Sequence, residues 1–385
     1  MSGINDRHSR SIGNAIRVLL TALAAMAAAK AGGWEIGIVE GSTGGEFSSL
    51  RFDKYGNGHV SYVGGPKSSL QYSFWDHNLK KWFTTPLDFA DGFCSLVLDS
   101  KQYPHISYPV NGKLKYAYWD GSSWQTQSIA LPTKLLAFYT SISLDLNDKP
   151  SITYYEVDGP SGEQVAHLRV VTRRENVWEL VTADQTYGAG KFNSIAHDSL
   201  GRPHIAYAAV IYEHSSLRYA HWDGTNWNNE ILEGAGVPGT YRQAVMLILD
   251  KHDIPHIAYS DLNHSIVRYA TKVAGKWQME TVDSVGKVGY PDRNGIALDE
   301  DGTPYISYYD AKAGVLKLAH RKDQKWLVEV VDSGYAGFTS SLQIHEGMIW
   351  LTYSPGNGAG LKYARRRIES PDSSETRPPK RPVPQ

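Results

Sequence analysis

Three acidic residues stand at one recurring position where related stretches of the chain carry something inert. Glu156, Asp261 and Asp310 each lie two residues past a tyrosine that closes an "ISY"-like pentapeptide, whereas the matching positions elsewhere are Gly64, Val110, Ala209 and Pro355. Close to them in sequence are His264, Tyr290 and Asp292, and two arginines, Arg242 and Arg293, at or near a position that is otherwise aromatic. Acids, a tyrosine and arginines in converging loops suit carbohydrate chemistry in two ways. In a binding site, aromatic rings would stack on the apolar face of a sugar while Arg242, Arg293 and the acids take its hydroxyls or carboxylate. In a catalytic site, two of the acids would serve as acid and base on a glycosidic bond, or Tyr290 would act as nucleophile beside an acid. Against both stands the plain alternative that these charges only solvate an open surface.

These positions are comparable because the chain repeats itself. "PHISYPVNGKLKYAYWDGSSW" (104–124) returns as "PHIAYAAVIYEHSSLRYAHWDGTNW" (203–227), and the register tyrosines are Tyr62, Tyr108, Tyr154, Tyr207, Tyr259, Tyr308 and Tyr353. Their spacings of 46, 46, 53, 52, 49 and 45 residues are those of a repeat architecture. Nine residues before each of the first six stands Asp53, Asp99, Asp145, Asp198, Asp250 or Asp299; the seventh copy has Ile344. Each copy reads as four short strands: an apolar run such as "VMLILD" (245–250), the "ISY" strand, a third such as "LKYAYW" (114–119), and a fourth opening with Trp after a tight turn. Four antiparallel strands without helical periodicity describe a propeller blade, and one blade alone cannot bury a core.

The count at the ends predicts how the ring closes. Fourth-strand tryptophans occur six times, at Trp82, Trp124, Trp178, Trp227, Trp277 and Trp326, while "WEIGIVE" (34–40) repeats the pattern of "WLVEVVD" (326–332). The fold expected is therefore an all-β, seven-bladed propeller of four-stranded blades, the ring closed by the N-terminal strand, which leaves no free edge. The propeller spans 32–366. Residues 1–31 read as a signal peptide, with Arg7, Arg10 and Arg17 before the apolar run 18–29 and Ala29-Lys30-Ala31 as a cleavage site. That run is shorter than the ~20 residues of a membrane span, and no second one follows. Residues 367–385, rich in proline and charge, read as a disordered tail. An exported chain is expected.

Residues that recur in every blade are read as building blades. His59, His105, His204 and His256 fall on separate blades, too dispersed to share one metal, so no metal or other cofactor is expected. The third-strand cations Lys115, Arg169, Arg218, Arg268, Lys317 and Lys362 are candidates to pair with the recurring aspartates, and the tryptophans to pack between blades. Cys94 is the only cysteine, which excludes an intrachain disulfide, and a formal net charge of −1 gives no basis for nucleic-acid binding.

This blade pattern resembles the repeats of the sialidase-like (BNR) superfamily and of bacterial seven-bladed propeller lectins, over residues 34–364. Two departures stand out. Sialidase Asp-boxes run Ser/Thr-x-Asp-x-Gly-x-x-Trp, whereas Asp120-Gly121 and Asp223-Gly224 are adjacent here, and no Phe-Arg-Ile-Pro segment is present. The resemblance thus implies the fold and disfavours a true sialidase. The expected function is recognition or scaffolding, with a glycan or protein ligand at the central mouth held by Glu156, Arg242, Asp261, Tyr290, Arg293 and Asp310. The alternative is a glycoside-cleaving enzyme of sialidase-like architecture.

Overall fold

The structure, a computed structural model, describes residues 33–65, 67–131, 136–157, 166–211, 214–234, 242–285, 293–355 and 358–369. Seven four-stranded sheets form blades one to seven, spanning 44–89, 95–128, 136–184, 189–233, 242–284, 295–332 and 340–367. Blade seven takes its fourth strand from Glu35–Ile38, which pairs antiparallel with Lys362–Arg367 through Glu35↔Arg365, Ile36↔Ala364, Gly37↔Tyr363 and Ile38↔Lys362. The closure expected from "WEIGIVE" is the one observed. A Cβ at Gly37 would meet the Tyr363 ring at 2.7 Å and displace it. No helix among the described residues is long and apolar enough to cross a membrane.

The core lies between blades. One cluster joins Ala206, Leu217 and Tyr219 of blade four to Val245, Leu247, Ile257 and Tyr259 of blade five, and comparable clusters fill the other seams. Each fully buried side chain of this kind contributes about 1.5–3 kcal/mol. Third-strand tyrosines meet the fourth-strand tryptophan of the next blade edge-on: Tyr72 with Trp124 (4.8 Å), Tyr116 with Trp178 (5.3 Å), Tyr219 with Trp277 (5.0 Å) and Tyr269 with Trp326 (5.3 Å). The tryptophans do pack between blades.

The recurring aspartates have a different task from the one expected. Each caps the turn between first and second strands, its carboxylate accepting the amide N–H groups two and four residues on, as Asp53 does from Tyr55 (2.9 Å) and Asn57 (2.8 Å). Asp99, Asp145, Asp198, Asp250 and Asp299 repeat the arrangement. In four blades the second-strand histidine lies between this carboxylate and a third-strand tyrosine: His59 between Asp53 and Tyr72, His105 between Asp99 and Tyr116, His204 between Asp198 and Tyr219, His256 between Asp250 and Tyr269. The third-strand cations bind other acids, described below.

Candidate functional site

The first strands begin opposite the ends of the second strands, as Gly44↔Gly64 shows, so the inter-blade loops and the second-to-third loops share one face. This is the mouth, and the aspartate-capped turns lie on the opposite face. At the mouth the first strands of blades one, three, four and five carry a bulge, with Phe47, Tyr139, Phe192 and Ala244 at φ of 55°, 54°, 51° and 53°. A bulge re-aims its side chain, and here it turns the rings toward one another. Phe47 lies 4.3 Å from Phe93, Phe93 4.9 Å from Tyr139, and Tyr139 4.6 Å from Phe192. The cavity left among Phe93, Tyr139, Phe192, Val245, Met246 and Arg293 is about 20 Å³, room for roughly one water. The rings of Phe47, Phe93, Tyr139 and Phe192 thus close on one another, while Phe338, at the same repeat position, packs on Tyr309.

Arg293 completes this closure. From blade six its guanidinium donates to the carbonyls of Cys94 (2.9 Å, blade two) and Ser48 (3.4 Å, blade one), and the residue is only 8% exposed. Burial lowers its pKa. Its place is in the ring's interior rather than on an open surface.

The three acids are buried and each has an internal partner. Glu156, 2% exposed, accepts from Nε of Arg169 in its own blade. Asp310 accepts the amides of Lys312 (3.0 Å) and Ala313 (3.2 Å) and pairs with Lys317 at 2.6 Å. Asp261 caps the equivalent loop through the amides of Asn263 (3.2 Å) and His264 (3.3 Å) and holds the His264 imidazole at 2.6 Å. That imidazole is an oriented group on the mouth, its side chain 64% exposed. Arg242 opens the first strand of blade five with its backbone opposite Asp261. Tyr290 and Asp292 lie outside the described residues. The structure therefore brings Asp261 and His264 together and leaves Glu156, Asp310 and Arg293 on separate blades with separate partners.

A rule explains why acids appear at just these places. At five seams the last strand of one blade ends in an acid that receives the register tyrosine and the third-strand cation of the next. These are Asp88 with Tyr108 and Lys115, Asp184 with Tyr207 and Arg218, Glu233 with Tyr259 and Arg268, Asp283 with Tyr308 and Lys317, and Asp332 with Tyr353 and Lys362. Burial alone would raise the carboxyl pKa of Asp88, Asp184 and Asp283, but hydrogen bonds from these partners and from local amides hold all three below the usual carboxylate range. Two blades break the rule, for Ile129 and Val39 stand at the acid position, both buried. After Ile129, Arg169 turns to Glu156 and the Tyr154 hydroxyl is left buried without a hydrogen-bond partner. After Val39, the cation is replaced by Gln71 and the Tyr62 hydroxyl receives a bond from Ser73.

The residue that repeat comparison passed over is the one just before the collar. It reads Glu46, Gly92, Phe138, Lys191, Gln243, Asp292 and Gly337 along the chain, so the copies disagree there more than at the collar itself. Lys191 is half-buried over the Tyr155 ring (5.4 Å) and has no carboxylate partner among the described residues. Burial lowers its pKa. Burial, with the neighbouring Tyr139 and Tyr187 hydroxyls, raises that of Tyr155 to about 12. Tyr187 and Phe138 are 40% and 39% exposed. An ammonium free of carboxylates, beside tyrosine hydroxyls and open aromatic surface, is equipped to take an anionic group on a ring.

No family model matches the sequence, and no curated protein does. Among solved structures the chain is similar to a PL25 ulvan lyase bound to -[GlcA(1-4)Rha3S]-, at 12% identity and a TM-score of 0.60 over 84% of this chain and 93% of that one. It is similar also to a protein of unknown function from Dyadobacter fermentans, at 11% identity and a TM-score of 0.54 over 88% and 100%. The sialidase Hz136, a Hadza microbial protein, aligns at 10% identity and a TM-score of 0.48 over 80% and 74%. At such identities the two likenesses with TM-scores above 0.5 show the fold alone. This is a seven-bladed β-propeller with ulvan lyases and sialidases among its structural neighbours.

Proposed function

We propose that this is an exported glycan-recognition protein, directed by residues 1–31, whose ligand lies across the mouth face without being cleaved. The observation that carries the reading is Lys191. Every third-strand cation is matched to an acid, whereas this ammonium is kept half-desolvated beside Tyr155 with no carboxylate of its own. A uronate or sulfate on a sugar would supply the missing charge and accept from the tyrosine hydroxyls. Its ring would lie on Phe138 and Tyr187. The acidic disaccharide held by the ulvan-lyase neighbour is a ligand of this chemistry. Binding rather than cleavage is favoured because Glu156 and Asp310 are spent on Arg169 and Lys317.

A second reading is carried by His264. An exposed imidazole oriented by the buried Asp261 carboxylate is a competent proton acceptor, and in that case the mouth cleaves what it binds. One experiment separates them: calorimetric titration with neutral, uronate-containing and sulfated oligosaccharides, alongside an assay for new chain ends. Saturable binding of acidic oligosaccharides without new ends supports recognition. Chain ends that vanish in His264→Ala establish cleavage, and silence towards every oligosaccharide removes the glycan reading.

A further inference from the structure

The seam that closes the ring is also one of the two that lack a clasp, and a crevice opens there. Where blades seven and one meet on the mouth, Val39 takes the acid's place and Gln71 the cation's, and the second strand of blade one ends in Gly64. Beside Gly64 lies a crevice of about 480 Å³, lined among others by Glu46, Phe47, Ser68, Phe338, Thr339 and Ser354. This is the size of a small-molecule site. Its aromatic walls are braced from behind, Phe47 by Phe93 and Phe338 by Tyr309, each at 4.3 Å.

The charge of the crevice is one-sided. Among the described residues Glu46 is its only ionisable lining side chain, is exposed, and has no hydrogen-bond or ion-pair partner. The rings of Phe47 and Phe338 give the lining aromatic surface on which a cation or a sugar ring can pack. None of the described lining residues is positive. We propose that this crevice is a second ligand site, distinct from the Lys191 region on blade four, and that it takes a protonated amine carried on a saturated ring, an amino sugar with its amine free. The ammonium pairs with Glu46, the ring's C–H face lies on the phenylalanines, and its hydroxyls reach Ser68. An acidic sugar is repelled from this site, in contrast with the Lys191 side of the mouth.

The test is titration with three tetrasaccharides: β-1,4-linked glucosamine with free amines, its N-acetylated form, and galacturonate. The free-amine tetramer is expected to bind at least tenfold more tightly than the N-acetylated one. Glu46→Gln should remove that advantage, and Lys191→Met should leave it intact. Glu46→Lys should exchange the preference in favour of galacturonate when made together with Lys191→Met. Since Glu46 is exposed and unpartnered, unfolding midpoints should not move in its variants, so a loss of binding reads on the site. Equal affinity for the amine and its acetylated form, an unchanged preference in Glu46→Gln, or no binding of the free-amine tetramer would each overturn the proposal.

Discussion

Glu156 and Arg169 form within blade three the ion pair that Asp88 and Lys115 form across the seam between blades one and two. The two arrangements are alternatives for one need, a counter-charge for a cation held against the blade edge. Ile129 stands where the acid of blade two would be, and Glu156 answers it from the other side. An irregular acid that looks like a site residue is thus a repair within the repeat. Glu156→Gln should cost about 1–3 kcal/mol, the penalty of a weakened bond to a charged group. Adding Ile129→Asp should recover part of it by restoring the clasp, which would also give the Tyr154 hydroxyl a partner. Denaturant midpoints of the single and double variants decide the matter; failure of the second change to help would separate Glu156 from the clasp.

Ring closure depends on few residues and should be sensitive to them. Trp34 is fully buried, its indole near Glu329 and its face under the Arg366 guanidinium at 4.6 Å. Trp34→Ala should cost ~3–5 kcal/mol. Deleting 34–40 should cost more, because it also exposes the Lys362–Arg367 edge. Thermal melts of both variants measure this, and an unchanged melt after the deletion would contradict closure by this strand.

Acid should loosen the seams together. The clasp carboxylates Asp88, Asp184 and Asp283 have folded-state pKa values below the ordinary range, and Asp53 is held at about 2, with burial opposed by bonds from His59 and Asn57. A depressed carboxyl pKa means that the unfolded chain binds more protons. The stabilisation is complete above the unfolded value of about 4 and is lost as pH falls toward the folded values. Buried histidines whose pKa burial lowers, His105, His197, His204 and His256, act in the same direction from the unfolded histidine value of about 6.5 downward. Unfolding midpoints should therefore be level above about pH 7, decline gently from there to about pH 5 and fall steeply below about pH 4. Asp283→Asn should flatten part of that decline.

The fold was legible because a blade is a local object. Strand alternation, the recurring Asp and the fourth-strand Trp are all written within about fifty residues, and even the missing strand at the seam left its Trp in "WEIGIVE", although the turn-capping task of the Asp was not read from its recurrence. The site was harder to read because the clasp joins residues of neighbouring blades. Asp88 and Lys115 are 27 positions apart, so Glu156 and Asp310 looked like departures when each was serving a cation nearby. Arg293 looked like a mouth residue because a linear repeat shows that it replaces an aromatic ring, but not that the axis is narrow enough for its guanidinium to cross to blades one and two. Glu46 and Lys191 share a position at which the copies disagree, but in a linear repeat it is overshadowed by the more regular aromatic position that follows.

Arg293 and Lys191, two cations of the same face, should respond in opposite ways to the same substitution. Arg293 is closed off, and its donors satisfy two backbone carbonyls from different blades. Arg293→Met should strand those carbonyls at a cost of about 1–3 kcal/mol and leave affinity for acidic oligosaccharides nearly unchanged. Lys191 is half-buried without a counter-ion, a condition that disfavours its charge. Lys191→Met should leave stability unchanged or raise it slightly while lowering affinity for a uronate-containing oligosaccharide at least tenfold, and that loss should shrink at high salt because the interaction is partly screened. Measuring midpoint and affinity on both variants in parallel tests the pair. Should Arg293→Met lose the ligand at an unchanged midpoint, the axis would be the binding site and the placement on Lys191 would fall.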